Sequence, residues 1–262
     1  MIRALYTAAS GMTAQQANID TTANNLANVN TAGFKRSRTE FADMVYQQVR
    51  GAGSPTSPAT EAPIGLEIGL GTRPVATARD FRPGNLRSTG SPLDLAVEGR
   101  GFFQIGLPTG ETAYTRAGIL HLDAQGALVT AEGYPLQPAL SIPADALSVS
   151  ISKEGTVSVV LAGESAPQQV GNIELASFQN PAGLRALGGN LFAVTTASGE
   201  PTTAVPGAEG MGTLAQGFLE DSNVSVVEEM VNMILGQRAY EASSKIVKAS
   251  DEMLGQVNNL VR

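Results

Sequence analysis

The distribution of proline constrains the fold of this chain more than any other feature of its sequence. All 14 prolines of the 262 residues lie between Pro55 and Pro206, so residues 1–54 and 207–262 contain none. Proline removes a backbone donor and clashes with the preceding helical turn, so it is rare in helix interiors. Two proline-free ends around a proline- and glycine-rich middle therefore predict terminal helices on either side of a β-rich body.

The first proline-free end carries a seven-residue apolar repeat, formed by Leu5, Met12, Ile19 and Leu26. This spacing matches the a positions of a coiled coil, and small or polar residues lie between them. The pattern predicts a helix over residues 3–30, although Gly11 inside it costs about 1 kcal/mol relative to alanine. An ordinary core-facing helix would show the same repeat, so periodicity alone leaves both interpretations open.

The second proline-free end repeats this spacing over a longer stretch. Its apolar positions are Val226, Met233, Tyr240, Val247, Leu254 and Val261. Ser225 followed three residues later by Glu228 is the pattern of a capping box, and Glu229 adds negative charge near the positive end of the helix dipole. We expect one long helix over residues 226–260.

An asparagine-rich stretch ends the first repeat, with Asn24, Asn25, Asn28 and Asn30 close together. Asparagine side chains compete with the backbone for hydrogen bonds, so a helix seldom contains so many. Residues 4–34 carry a single charged side chain, Asp20, and a face this poor in charge suits contacts with other helices better than contact with water. The stretch therefore indicates assembly with further copies.

In the middle of the chain the spacing of the apolar residues changes from that of a helix to every second residue, which is the spacing of a strand. Residues 93–98 alternate, as do residues 147–151 and 157–161, with Gly155 in the turn between the last two runs. Many short strands separated by turn residues predict an antiparallel sandwich or barrel-like body. Residues 51–71 are rich in Pro, Ser, Thr and Gly, and this composition predicts an extended segment such as a flexible linker.

Composition argues against an enzyme and against a nucleic-acid-binding protein. The formal net charge is −7, and the chain has no cysteine, which excludes disulfides, thiolate metal sites and cysteine nucleophiles. The single histidine, His121, lies in a predicted strand, and no nucleophile elbow or phosphate-binding loop is present. We expect no catalytic residue, no cofactor and no metal. No apolar stretch reaches the ~20 residues that span a bilayer, and the start lacks the apolar core of a standard signal peptide.

Three parts of the sequence resemble the bacterial flagellar axial proteins, the family of rod and hook subunits. They are "SGM" with "NNLANVNTAGFKR" near the start, "GTRPVATARDFRPGNLRSTGSPLDLAVEGRGFFQI" in the middle, and residues 222–260 at the end. The resemblance covers essentially the whole chain, and the order of the central motifs is typical of the distal-rod branch of this family.

The resemblance implies an α+β fold. The terminal helices, residues 1–33 and 220–262, form a coiled coil lining the core of a helical tube, residues 34–92 form an extended connecting region, and residues 93–219 form an outer antiparallel β-rich domain. Gly33 turns the chain outward in the left-handed conformation, and Phe34, Lys35 and Arg36 begin the connecting region. From the residues alone, the basic cluster at 34–38 is a solvated turn. The implied subunit-interface residues are both apolar repeats except Val226, together with Asn24, Asn25 and Asn28.

The insertion at residues 51–71 distinguishes rod from hook within the family. The resemblance implies a strut that reaches neighbouring subunits and resists bending, stiffened by Pro55, Pro58 and Pro63. The expected function is a non-enzymatic structural subunit of the distal rod, polymerised into a rigid hollow shaft that transmits torque from motor to hook. A hook or proximal rod subunit is the alternative, and a secreted cell-wall enzyme is a weaker one.

The resemblance also implies the surroundings of the subunit. A polymer of identical copies would contact the proximal rod and hook proteins and would cross the periplasm inside the ring bushing of the peptidoglycan and outer membrane. Its subunits would use the flagellar type III export apparatus and no cleaved signal peptide. In the dilute monomer we expect a folded β body and disordered terminal helices.

Overall fold

The structure is a computed structural model that describes residues 2–57, 60–163 and 166–260. The chain divides into two units. The helical unit comprises residues 1–27, 37–78 and 225–262, and the β body comprises residues 28–36 and 79–224. These boundaries differ from the predicted ones, since residues 28–33 belong to the β body and most of the expected connecting region belongs to the helical unit.

The first helix, α1, spans Ile2–Ala27 and ends three residues earlier than predicted. Asn28 and Asn30 therefore lie in the following turn and not on the helix, which corrects the expectation. The Asn28 carbonyl accepts a hydrogen bond from the Thr31 amide at 3.1 Å, and its side-chain oxygen accepts one from Thr31 Oγ1 at 3.2 Å. The asparagine that could extend the helix is thus used to form the turn.

Gly33 adopts the predicted left-handed conformation, with φ of +72°. A Cβ atom at this position would lie 2.6 Å from the backbone nitrogen of Ala117, so there is also no room for a side chain. Both the conformation and the close approach require glycine.

The second helix, α2, spans Val226–Leu260, which confirms the predicted limits. The Glu228 amide donates a long hydrogen bond to Ser225 Oγ at 3.5 Å, and the Glu229 amide donates to the Ser225 carbonyl at 3.0 Å, so Ser225 precedes the first turn as expected. α1 and α2 pack along each other. Among the described residues, neither helix is long and apolar enough to cross a membrane.

Residues 37–78 fold back on themselves as nested pairs of short strands, here called the ribbon. β1 (Ser37–Asp43) pairs with β6 (Thr72–Arg79), β2 (Tyr46–Arg50) with β5 (Leu66–Gly69), and β3 (Pro55–Ser57) with β4 (Thr60–Glu61). The segment 51–71 is therefore extended, but its strands are paired. The prediction of a flexible linker, which rested on composition, is wrong. Pro55 lies in β3 and Pro63 in the bend before β5, whereas Pro58 lies outside the described residues.

The β body is built from short strands. The first eight are β7 (Leu86–Ser88), β8 (Leu95–Glu98), β9 (Phe102–Gly106), β10 (Thr112–Thr115), β11 (His121–Leu122), β12 (Leu128–Val129), β13 (Leu136–Gln137) and β14 (Ala146–Ile151). The next eight are β15 (Thr156–Leu161), β16 (Gln168–Asn172), β17 (Leu175–Ser177), β18 (Arg185–Gly188), β19 (Leu191–Ala193), β20 (Thr202–Ala204), β21 (Thr213–Gln216) and β22 (Phe218–Glu220). A short 3-10 helix lies at Pro181–Gly183.

The largest described sheet is open and antiparallel, with the order β18-β19-β10-β9-β17-β20 and with β13 also paired to β9. The predicted hairpin is confirmed: Val149 lies opposite Val159, and Ile151 lies opposite Val157, with β16 as a third strand. Gly155 has φ of +83° in the turn. Together with the two terminal helices, these sheets give an α+β fold.

Large apolar side chains fill the β body in two clusters. The main one includes Leu95, Val97, Phe103, Ile105, Leu128, Leu136, Val157, Ile173, Leu175 and Leu214. The second is aromatic, with Phe81, Phe102, Tyr114, Phe178 and Phe192 in edge-to-face pairs whose centroids are 4.8–6.2 Å apart. Fully burying a side chain of this size stabilises a fold by about 1.5–3 kcal/mol, so this unit has a core of its own.

Candidate assembly interface

The face of α2 that packs against α1 is formed by small and polar residues. Four of them recur every seven residues and are buried or half-buried: Glu229, Gly236, Ser243 and Ser250. The buried positions of α1 are Ala8, Ala14, Thr22 and Asn25. A Cβ on Gly11 would lie 3.5 Å from Ser243 Oγ, and one on Gly236 would lie 3.0 Å from Ile19 Cγ1. The two helices therefore approach closely because these side chains are short.

Apart from Ile19, which lies against Gly236, the residues of the predicted apolar repeats lie beside this contact and not at its centre. Leu5, Met12, Ile19 and Leu26 of α1 are half-buried, as are Met233, Val247 and Leu254 of α2. Tyr240 is 40% exposed, and Val261 lies outside the described residues. On α2 the small residues recur every seven positions, as the large apolar residues do. The period therefore could not show which of the two sets forms the contact.

A row of large apolar residues on α2 faces outward, and we call it the outer row. It consists of Val227, Met230, Val231, Ile234 and Leu235, which are 50–73% exposed. Their spacing of three and four places them on one side of the helix. Exposed apolar patches of this kind are typical of surfaces that contact another protein.

Two grooves border α1 within the helical unit. One, of about 600 Å³, is lined by Arg3, Ala4, Thr7, Ala8, Ile68, Gly69, Ser243 and Ile246. The other, of about 410 Å³, is lined by Arg3, Tyr6, Ala9, Ser10, Thr13, Met44 and Leu70. Their linings are mostly apolar, so these grooves can accept apolar side chains from another chain.

The ribbon also exposes large apolar side chains. Val45, Tyr46, Val49, Ile64 and Leu66 are each more than half exposed. A two-stranded ribbon is marginally stable by itself in water. Its apolar residues therefore indicate a further surface that another chain can cover.

Asn25 is placed differently from the expectation that it contacts other subunits. Its side chain is buried, and Nδ2 donates to the Ser37 carbonyl at 2.7 Å and to Glu229 Oε2 at 3.1 Å. Its Oδ1 accepts from the Ser37 amide at 2.9 Å. The amide is used within the helical unit, so Asn25 has a structural role there and is not a subunit-interface residue. Asn24 is exposed and Asn28 is half-buried.

Sequence reasoning missed a buried charge cluster. The basic stretch at 34–38 was expected to be a solvated turn or the start of a connecting region. Arg38 is exposed, and Phe34 and Arg36 are half-buried, but Lys35 is buried. Lys35 Nζ lies 2.6 Å from Glu220 Oε1, and both side chains are fully buried. These residues are 185 positions apart, so no local pattern indicates their contact.

Family models match three parts of the chain. Residues 5–35 match the model described as flagella basal body rod protein. Residues 96–159 match the D1 domain of the flagellar hook protein FlgE/F/G. Residues 215–260 match the C-terminal region of the flagellar basal body rod FlgEFG proteins.

Similar proteins match over the whole chain. The flagellar basal-body rod protein FlgG of Borreliella burgdorferi is 52% identical over 264 residues, covering 100% of both chains, and that of Caulobacter vibrioides is 48% identical, covering 99% of both. In Bacillus subtilis, FlgG is 42% identical over full length, whereas the flagellar hook-basal body complex protein FlhP is 30% identical over 99% of this chain. The chain belongs to the flagellar basal-body rod protein family and is a structural subunit of the flagellar rod.

Proposed function

We propose that copies of this chain polymerise into the rigid hollow shaft of the distal rod, which transmits torque from motor to hook. This proposal rests on one observation: in the helical unit the buried residues are small, whereas the large apolar residues of the outer row are exposed. Isolated helices are marginal in water. Covering the outer row with a second copy would remove large apolar surface from water and stabilise the helices, so α1 and α2 act as the coiled coil of the tube.

The proposed surroundings follow from family membership. The shaft contacts the proximal rod and hook proteins, and it crosses the periplasm inside the ring bushing of the peptidoglycan and outer membrane. The flagellar type III apparatus exports the subunits without a cleaved signal peptide. The role is non-enzymatic and requires no cofactor, because it depends on many repeated contacts.

The proposal is tested by placing charges in the outer row. Val231→Glu combined with Leu235→Glu would leave two carboxylates in an apolar contact, and burying an unpaired charge is strongly unfavourable. We expect a strain that carries only this variant to lose swimming in soft agar and to lack distal rods in electron micrographs of basal bodies.

The matched control is Ala242→Glu combined with Ala249→Glu. These exposed residues lie on the same side of α2, beyond the outer row, and receive the same two charges. We expect the control to swim. Equal loss in both variants would show that added charge, and not the outer row, is responsible, and normal rods from the first variant would contradict the proposal.

We further propose that the ribbon is a strut between copies, which favours the distal rod over a hook or proximal rod subunit. Replacing residues 51–65 by Asn-Gly removes β3 and β4 but leaves β2 free to pair with β5. We expect shafts of this variant to curve in electron micrographs. Shafts that remain straight would contradict the strut and leave the polymerisation proposal intact.

A further inference from the structure

Three charged side chains form a buried cluster in the β body. Glu220 Oε1 accepts a hydrogen bond from Lys35 Nζ at 2.6 Å, and Oε2 accepts one from Arg116 Nε at 2.8 Å. The side chains of Lys35 and Glu220 are fully buried, and that of Arg116 is 3% exposed. One carboxylate therefore faces two cations out of contact with water.

Arg116 is held by β8 and by the loop between β8 and β9, independently of Lys35. Its Nη1 donates to the carbonyls of Gly99 and Gly101 at 2.9 and 2.6 Å, and its Nη2 donates to the Val97 carbonyl at 3.0 Å. The folded strands thus place a cation where Glu220 arrives. Glu220 itself follows at the end of β22, far along the chain.

The cluster joins three separate segments of the chain. The Gly33 amide donates to the Glu220 carbonyl at 2.8 Å, and the Gly84 amide donates to Glu220 Oε1 at 2.9 Å. Lys35 Nζ also donates to the Arg82 carbonyl at 2.9 Å. Residues 33–35, 82–84 and 220 are therefore held at one place.

Asn223 extends this arrangement through its side-chain amide. Its Oδ1 accepts from the Arg36 amide at 2.8 Å, and its Nδ2 donates to the Asp80 and Arg82 carbonyls at 2.8 and 3.1 Å. The segment 33–36 is thus held jointly by two parts of the chain, one near position 80 and one near position 220.

Charge makes the docking of Lys35 conditional on Glu220. Burial lowers the pKa of Lys35, and the Glu220 carboxylate only partly offsets this effect. Burial disfavours the ionised form of Glu220, but the charges of Arg116 and Lys35 outweigh it and hold the pKa of that carboxyl below its usual range. Without the carboxylate, two buried cations would face each other with no opposite charge between them, which is strongly destabilising.

We propose that Glu220 acts as a latch. Residues 33–36 pack onto the β body only after the Glu220 carboxylate has paired with Arg116. The strands of the main core close first, and the segment that follows α1 docks last. Lys35 and Glu220 are 185 positions apart, so the segment around Lys35 stays undocked until Glu220 has reached Arg116. This inference concerns the β body alone and does not depend on the rod assignment.

The test is amide hydrogen exchange on the full chain with Glu220→Gln. Glutamine keeps the size of the side chain and can still accept from the Gly84 amide, but it carries no charge. We expect the Gly33 and Arg36 amides to exchange at least roughly tenfold faster, because their segment opens locally. The amides of β9 and β15 should exchange as in the unchanged protein.

Two further variants separate the latch from a general loss of stability. Lys35→Met leaves Glu220 paired with Arg116 and should keep the Gly33 and Arg36 amides protected. Lys35→Met combined with Glu220→Gln removes the cation that needs the carboxylate and should restore that protection. Unchanged exchange in Glu220→Gln, faster exchange throughout β9 and β15, or no restoration in the double variant would each overturn the latch.

Discussion

The β body and the helical unit use apolar residues in opposite ways. In the β body the large side chains lie inside, with Leu95, Phe103 and Ile105 at most 1% exposed. In the described part of the helical unit, the buried hydrophobic residues are the alanines Ala8, Ala14 and Ala62, and most of the chain's exposed large hydrophobics lie in this unit.

This difference shows which unit can be stable alone. Full burial of a large apolar side chain stabilises a structure by about 1.5–3 kcal/mol, so the five residues of the outer row represent a large gain that an isolated chain does not obtain. The β body already has this gain. The helical unit obtains it only when other chains cover its surface, as the polymer in our proposal does.

The largest expected effect comes from truncating a core residue of the β body. Phe103→Ala should lower its free energy of unfolding by about 3–5 kcal/mol, because it leaves a cavity where a ring was buried. Leu235→Ala, in the outer row, should change the monomer by less than about 0.5 kcal/mol. Urea unfolding followed by circular dichroism measures both. Similar losses in the two variants would contradict the contrast between the units.

A fall in pH should release residues 33–36 from the β body before it destabilises the strands around them. The pKa of Glu220 is held below its ordinary 4.5, so its stabilising contribution is present above that pH and is lost as the pH falls through the folded-state pKa. Lys35 has a lowered pKa and so disfavours docking at neutral pH, an effect relieved only as the pH rises towards 10.5. Asp80, whose pKa is lowered by its hydrogen bond with Arg82, is the other acid that acts on Lys35.

The measurement is exchange of the Gly33 and Arg36 amides between about pH 7 and about pH 3, corrected for the intrinsic pH dependence of exchange. We expect a loss of protection below the ordinary carboxyl range in the unchanged protein. Glu220→Gln should show no such step. The same step in both proteins would assign it to Asp80 and contradict the role of Glu220.

Sequence patterns predicted the features that are local. The limits of α2 follow from Ser225 and an apolar repeat, and the β14–β15 hairpin follows from alternation around Gly155. The face of α2 that meets α1 could not be predicted, because Gly236 and Ser243 carry no hydrophobic signal and their role depends on backbone distance. The Lys35–Glu220 contact was equally hidden, since its partners meet only in the folded β body.

A smaller effect is expected at the buried amide of the helical unit. Asn25→Ala removes the partner of both the Ser37 amide and the Ser37 carbonyl. Leaving such groups unsatisfied should destabilise the contact between α1 and the ribbon by about 1–3 kcal/mol. Faster exchange of the Ser37 amide is the measurement, and Gln16→Ala, at an exposed position of α1, is the control. If both variants behave alike, the amide is not a structural contact.

The smallest effect compares two glycines of α2. A Cβ on Gly255 meets nothing within 4 Å, so Gly255→Ala should raise helix stability by about 1 kcal/mol. A Cβ on Gly236 would lie 3.0 Å from Ile19, so Gly236→Ala gains the same propensity but loses it again to crowding against α1. Helix content from circular dichroism of the monomer should therefore rise in the first variant only. An equal rise in both would show that α1 and α2 are not in contact before assembly, and that the helical unit depends on other copies even for its innermost contact.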